Sequence, residues 1–309
     1  MSLSSMKGSL DASASDTSVW LAGTSAPMRE VERALGHLAH ANVNLVIHGE
    51  PGTGKRVLAE RIHRLGPRAG NRFVAIAVER LVDSEVEALL FGEEGVLAPG
   101  APRATLYVDA IDALAPRLQT RLALVLGERD YEHDVRVIAG TAAALEELTR
   151  LGRFRRDLFF RLAVVRIALP PLRERREDIA VVADRVMGEW CETAGAPRFE
   201  LSRRALAELS SYAWPGNARE LEQTIEAVLE LSLGTEVTAE LIREVLGRRP
   251  RRYAALDVFP LRQLERDYIA GVLSTCDWNQ SLAARRLGIG RNTLMRKIKT
   301  FGLHSDVAA

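Results

Sequence analysis

The stretch Gly49–Lys55, GEPGTGK, limits what this chain can fold into more than any other part of it. It fits the pattern G-x-x-x-x-G-K, follows the apolar run NLVIHGE and opens the helical segment GKRVLAERIHRLG. Strand, glycine loop and helix in that order make a phosphate cradle. The glycines let backbone N–H groups turn inward on phosphate oxygens, and the helix N-terminus adds partial positive charge. Gly49, Glu50, Pro51, Gly52, Thr53, Gly54, Lys55 and Arg56 are therefore the candidate nucleotide contacts, with Lys55 reaching the outer phosphates. Arg56 stands where such loops usually carry a Ser or Thr, so the hydroxyl that holds magnesium is missing.

Strand-like and helix-like segments alternate around this loop from about residue 29 to 167. The apolar runs RFVAIAV, TLYVDA, VRVIAGT and VVRIALP show little polar alternation, as strands buried on both faces do. The expected fold is α/β, a parallel sheet flanked by helices. Residues 145–162 read as one helix. After PPLRERREDI the pattern is purely helical, and RRPRRYAALDVFP reads as a linker before a last helical unit. The expected division is a flexible Ser-rich tail 1–27, an α/β nucleotide-binding domain 28–170, a helical subdomain 171–248, a linker 249–258 and a helix-turn-helix domain 259–309. The tail has no apolar signal core, and it is too short for a separate sensing domain, so none is expected.

Composition narrows the setting. A net charge of +1 hides an asymmetry: residues 248–309 hold 12 Lys+Arg against 5 Asp+Glu, a surplus of 7, so the rest sums to −6. A basic C-terminal end points to nucleic acid. Two cysteines far apart, Cys191 and Cys276, suit a reduced, cytoplasmic setting. No apolar run is long enough to span a bilayer, so no membrane partner is expected.

Asp109 ends the apolar strand ATLYVD and is the natural metal partner of the phosphate loop, holding Mg2+ directly or through water beside ATP or ADP. In the C-terminal unit, NQSLAARRLGIGRNTLMRKIKTFGL has the two helices and the glycine turn of a helix-turn-helix. Ala283, Ala284, Leu287, Leu294 and Ile298 would face its core. Arg291, Asn292, Thr293, Arg296 and Lys299 would point outward, with Arg suited to guanine and Asn to adenine. Arg285, Arg286 and Lys297 would touch phosphates. The apolar stripe of LRQLERDYIAGVL would pair two such units into a dimer.

GEPGTGK, LLFGEE, GRFRRDLFFRL, LPPLRERREDI, WPGNARELEQ and the last fifty residues together resemble the sigma-54-dependent bacterial transcription activators of the AAA+ ATPase class. The resemblance covers roughly residues 20–309. It implies an AAA+ α/β domain, a helical lid and a Fis-type helix-turn-helix, with assembly into a ring that holds nucleotide between subunits. It also implies that Arg155 and Arg161 act in trans on a neighbour's ATP, and that Arg219 senses nucleotide from the lid. In this family the residue after the loop lysine is commonly not Ser or Thr, so Arg56 is no outlier.

Against this pattern three polar positions read as alanine. Ala110 stands where the family has the glutamate that activates water. Ala77 and Ala142 stand where it has asparagines that switch that glutamate and sense the γ-phosphate. Asp112, two residues on, is expected to project elsewhere. In the loop that contacts sigma-54, Ala98 and Pro99 replace Phe and Thr, and only three residues separate Ala101 from Thr105. The sequence thus points to a DNA-binding regulator that binds ATP or ADP with Mg2+ but is impaired in hydrolysis and in sigma-54 contact. Two alternatives stay open: a working ATPase that activates sigma-54 RNA polymerase, and an inhibitory partner of a paralogous AAA+ regulator in mixed rings.

Overall fold

The computed structural model describes residues 21, 23–127, 134–232, 234–248, 265–266, 268–270, 272–273, 276 and 278–301. The linker 249–258 and most of the N-terminal tail lie outside the described residues. The chain divides into two compact units, 1–248 and 249–309.

The first unit is built on a five-stranded parallel sheet of order β2-β3-β4-β1-β5. Its strands are β1 Leu45–His48, β2 Arg72–Ala77, β3 Ala104–Asp109, β4 Val135–Thr141 and β5 Val165–Ala168. The central β3 and β4 are buried almost throughout, whereas β2 and β5, at the edges, alternate. That contrast matches helices on both faces of the centre and one open side at each rim. Helices α1 Ala26–His40, α2 Lys55–Leu65, α3 Asp83–Phe91, α4 Pro116–Val125, α5 Leu145–Arg150 and α6 Arg156–Leu162 supply the cover. One apolar cluster joins β3 and β4 to α3, α4 and α6 (Leu106, Val108, Val137, Leu90, Leu122, Leu158), and another joins the sheet to α1 and α2 (Ile47, Ile138, Leu35, Leu58, Ile62).

Two expectations change here. Residues 145–162 are two helices, broken at Gly152, whose φ of 69° no helix interior accepts. The ordered domain also starts before residue 28. Leu21 and Ser25 are buried, and Ser25 caps α1 by accepting from the Met28 N–H. The buried Asp178 accepts hydrogen bonds from the Thr24 and Ser25 amides (2.7 and 2.9 Å) and from the Ser25 hydroxyl (2.6 Å). The segment entering α1 is thereby fastened to the turn that opens the lid.

Buried Arg136 follows the same logic. It donates to the carbonyls of Leu38 and Ala39, groups the C-terminus of α1 leaves unbonded, and to the Val43 carbonyl in the loop that follows. Burial pushes its guanidinium down to about 10.

The lid has its own core. Helices α7 Ile179–Ala194, α8 Arg203–Ser211, α9 Asn217–Leu231 and α10 Ala239–Arg248 pack around Ile179, Val182, Leu209, Trp214, Leu221, Ile225 and Ile242. A short parallel pair, β6 Glu200–Leu201 and β7 Glu236–Val237, ties the connections together. In the second unit, α11 Gln280–Arg286 and α12 Arg291–Phe301 pack through Ala283, Ala284 and Leu294, with Leu287 and Ile298 partly buried beside them. These are the residues expected in that core.

Candidate functional site

Parallel strands point their C-terminal ends the same way, and a crevice forms there. The order places the ends of β3, β4 and β1 side by side, with the phosphate loop leaving β1. Gly52 (φ 79°) and Gly54 (φ 101°) both take left-handed backbone that a side chain would strain, and Gly54 directly precedes the first turn of α2. The free N–H groups of that turn face the cradle. The Lys55 ammonium lies back on the loop, donating to the Gly49 and Glu50 carbonyls at 2.8 and 3.1 Å. Burial lowers its pKa, and the carboxylates of Asp109, Asp112, Glu79 and Glu50 oppose that shift. These groups fit the phosphates of a nucleotide: inward amides, a cation, and a carboxylate for the counter-ion. Arg56 is exposed and pairs with Glu60 at 2.9 Å, so it brings no oxygen to a metal.

The lid closes on this loop through the segment Trp214–Arg219. Trp214 is fully buried and donates its indole N–H to the Leu209 carbonyl at 2.7 Å. Trp214 and Asn217 both have positive φ (50° and 54°), strain that a tertiary role accounts for. Asn217 accepts from the Leu172 amide (2.7 Å) and donates to Glu50 (3.1 Å) and to the Pro51 carbonyl (3.0 Å). Glu50 is also gripped by both guanidinium nitrogens of Arg173, at 2.6 and 2.7 Å. The Arg173 guanidinium holds the Glu50 carboxyl below the usual carboxylate range. The Arg219 N–H donates to the Gly52 carbonyl at 3.3 Å, and its side chain is exposed at the cradle's edge. Glu50, Arg173 and Asn217 thus form a clasp. Arg173 and Asn217 were not foreseen as site residues; only their positions within the two lid signatures hinted at them.

The strand edge opposite is different. Asp109 is half-buried at the end of β3, and in register beside it on β2 is Ala77. Ala110 follows Asp109 with φ 53° and ψ 51°, in the left-handed region. Ala142 follows Thr141 at the end of β4. The three alanines therefore border one crevice. The left-handed residue and the tight turn Ile111–Ala113 fold Asp112 back toward the sheet, contrary to the expectation that it projects away. Its carboxylate accepts from the Thr141 hydroxyl at 2.6 Å.

The two candidate trans arginines differ. Arg155 is exposed, paired with both oxygens of Asp157 (3.0 and 2.8 Å) and near the Thr120 hydroxyl (3.2 Å). Arg161 instead donates to the Ala123 carbonyl at the end of α4, its guanidinium lying where a Cβ on Gly127 would be. The segment expected to be the sigma-54 loop is packed down: Val96, Leu97 and Ala98 are buried, and the Val96 and Leu97 amides donate to the Leu89 and Leu90 carbonyls of α3 at 3.0 and 2.8 Å.

In the second unit Arg286, Arg291, Arg296 and Lys299 are exposed and Thr293 is half-exposed. The side chains of Arg285 and Asn292 lie outside the described residues. Lys297 is half-buried and ion-paired with Glu265, so it is turned from the outer face. Ile269 and Leu273, from the stripe expected to pair two units, are buried in this unit's own core, while Tyr268 is 67% exposed.

With this geometry in view, three family models match in chain order: a sigma-54 interaction domain over residues 21–168, an AAA+ ATPase lid domain over 173–256, and a bacterial regulatory protein domain of the Fis family over 260–301. The DNA-binding transcriptional regulator NtrC of Azospirillum brasilense is 35% identical, covering 94% of this chain and 71% of the relative. The transcriptional regulatory protein ZraR of Salmonella typhimurium is 32% identical over 93% of this chain and 70% of its own. Among solved structures, NtrX from Brucella abortus in complex with ADP superposes with a TM-score of 0.67 at 31% identity, covering 91% of this chain and 69% of that one. The same protein in complex with ATP gives 0.65 at 32% identity.

Proposed function

Because this chain belongs to the sigma-54-dependent transcription regulators, a DNA-binding family with an AAA+ domain, we propose that it is a regulator that uses nucleotide as a ligand more than as a fuel. ATP or ADP with Mg2+ would bind through Gly49–Lys55, Asp109 and Arg219, and the clasp would report it to the lid. The observation that carries the reading is the asymmetry of the crevice. Its binding half is complete, while Ala77, Ala110 and Ala142 line the half that would handle the attacking water. General-base catalysis supplies about 10²–10⁴-fold in rate. Asp112 is close, but Thr141 holds its Oδ1 at 2.6 Å and so fixes the carboxylate toward the end of β4, away from the place of the missing glutamate at Ala110. Slow hydrolysis follows, and nucleotide then acts by binding two states of the protein unequally.

The packed segment after α3 supports a second element of the reading. Burial of Val96, Leu97 and Ala98 leaves only the short, largely exposed stretch 99–103 before β3, little chain with which to engage sigma-54. DNA would be held by the outer face of α12, with Arg291, Asn292, Thr293, Arg296 and Lys299 toward bases, and by Arg285 and Arg286 of α11 and Lys297 of α12 toward phosphates. Lys297 would have to leave Glu265 to do so.

The test measures nucleotide binding and hydrolysis on one preparation. Binding that Lys55→Ala weakens, with negligible turnover, is the expected result. Turnover in the ordinary enzyme range of about 1–10³ s⁻¹, abolished by Lys55→Ala, would sink the proposal. An open-complex assay with sigma-54 RNA polymerase checks the second element, and full activity there would restore the ordinary activator reading. The exposure of Arg155 favours one further reading, in which this chain lends that arginine to a paralogous AAA+ regulator in a mixed ring. Masses of complexes isolated from cells decide it.

A further inference from the structure

A further polar contact in the crevice lies outside the machinery described so far. Tyr107 lies two residues before Asp109 on β3, so both side chains leave the same face of the strand. The Tyr107 ring is 1% exposed, and its hydroxyl donates to Asp109 Oδ1 at 2.9 Å. The neighbouring position on β4 is Gly140. A Cβ there would overlap the Tyr107 hydroxyl and come within 3.0 Å of Asp109 Oδ1. The phenol therefore reaches the carboxylate through a gap that glycine alone leaves open. A buried tyrosine needs a partner for its hydroxyl, but a backbone carbonyl would serve for that. Here the partner is the one carboxylate that ends β3 beside the phosphate loop.

We propose that Tyr107 is a positioning residue that fixes the Asp109 carboxylate for a nucleotide-bound divalent cation, with Gly140 as the space that permits it. The phenol takes Oδ1 and sets the side-chain rotamer, which leaves Oδ2 as the oxygen offered to Mg2+ or its water shell. This rests on the nucleotide reading given above. Groups that orient a metal ligand are worth about 10–100-fold in metal affinity.

The experiment titrates Mg2+ against the full chain with a fluorescent ADP analogue and, in parallel, follows Mn2+ uptake by electron paramagnetic resonance. Tyr107→Phe is expected to leave ADP binding in EDTA unchanged and to raise the Mg2+ midpoint by about tenfold. Gly140→Ala is expected to do the same by displacing the phenol. The double variant Gly140→Ala/Tyr107→Phe should recover part of the melting temperature lost in Gly140→Ala, because the colliding hydroxyl is gone while ring Cζ and Asp109 Oδ1 stay at 3.0 Å from the added Cβ, but not the Mg2+ midpoint. A melting temperature that falls in Tyr107→Phe with the Mg2+ and Mn2+ midpoints unmoved would make Tyr107 a core residue only and overturn the proposal. Failure of the unsubstituted chain to bind the ADP analogue both in EDTA and at saturating Mg2+ would overturn the nucleotide reading itself.

Discussion

The two sides of the crevice are built from different material, and their fates differ accordingly. The loop side works through backbone N–H groups, glycine dihedrals, one lysine and a clasp from the lid. The strand-edge side of an ATPase works through a few side chains that must meet at one water. Backbone geometry is fixed by the fold, so a cradle persists as long as the sheet and α2 do. A side-chain network is lost by single substitutions, and once incomplete it has no reason to keep its other members. On the proposed reading, Ala77, Ala110 and Ala142 are what that asymmetry looks like in one chain.

The hardest test of the contrast is to rebuild the weak side. Ala77→Asn/Ala110→Glu/Ala142→Asn should raise ATP turnover by about 10²–10⁴-fold, the worth of a positioned base. Ala110→Glu alone should recover less, because its partners are missing and Asp112 is held by Thr141. A triple variant as slow as the original would show that the crevice is closed to hydrolysis for some other reason. Breaking the strong side comes next. Lys55→Ala removes a charge-assisted contact worth about 1.5–3 kcal/mol, so ADP affinity should fall about 10–100-fold by calorimetry. Unchanged affinity would mean that the cradle does not hold phosphate.

What the sequence made legible divides along the same line. The α/β alternation, the lid, the phosphate loop and the helix-turn-helix core could be read because each depends on local pattern or period. Leu294 and Ile298 lie inward as their spacing requires. Contacts between residues distant in sequence could not be read. The Glu50–Arg173 pair spans 123 positions and the Ser25–Asp178 bond 153, and no periodicity announces either. Turns misled too. Gly152 breaks an otherwise helical stretch, and the left-handed Ala110 returns Asp112 to the sheet edge when simple alternation sends it away. The stripe in 261–273 was apolar as read, but amphipathicity does not say which core a face serves. Ile269 and Leu273 serve their own.

The clasp offers a smaller effect, with a pH signature. Glu50 titrates below its ordinary value of 4.5 because Arg173 holds the ionised form. A carboxyl lowered in the folded state contributes stability that is present above its unfolded value and lost as pH falls through the folded one. The clasp should therefore hold from neutral pH down to about 4.5 and loosen in more acid solution. Both partners are about two-fifths exposed (42% and 38%), so the pair is screened and is worth about 1 kcal/mol or less. Arg173→Ala should weaken ADP binding up to about fivefold and make melting less sensitive to acid below about pH 4.5. If the acid limb of the melting curve were identical in Arg173→Ala, the lid would not depend on this pair.

The smallest effect bears on why position 110 keeps its shape. A left-handed backbone costs an L-residue about 1–2 kcal/mol, which active sites tolerate when the bend aims a working side chain. Ala110 has the bend and a methyl group. Its dihedrals deliver Asp112 to Thr141 and set the turn into α4, so the bend serves the fold whatever side chain stands at position 110. Ala110→Gly relieves the strain but adds freedom to the unfolded chain. The difference should be a net gain of about 0.5–1 kcal/mol, a rise of about 2 °C in melting temperature for a unit of this size. Nucleotide affinity should not move, since Ala110 touches neither the cradle nor the clasp. A fall in melting temperature would mean that the methyl group is held by packing, and that the strand edge was rebuilt around alanine instead of merely stripped of its glutamate.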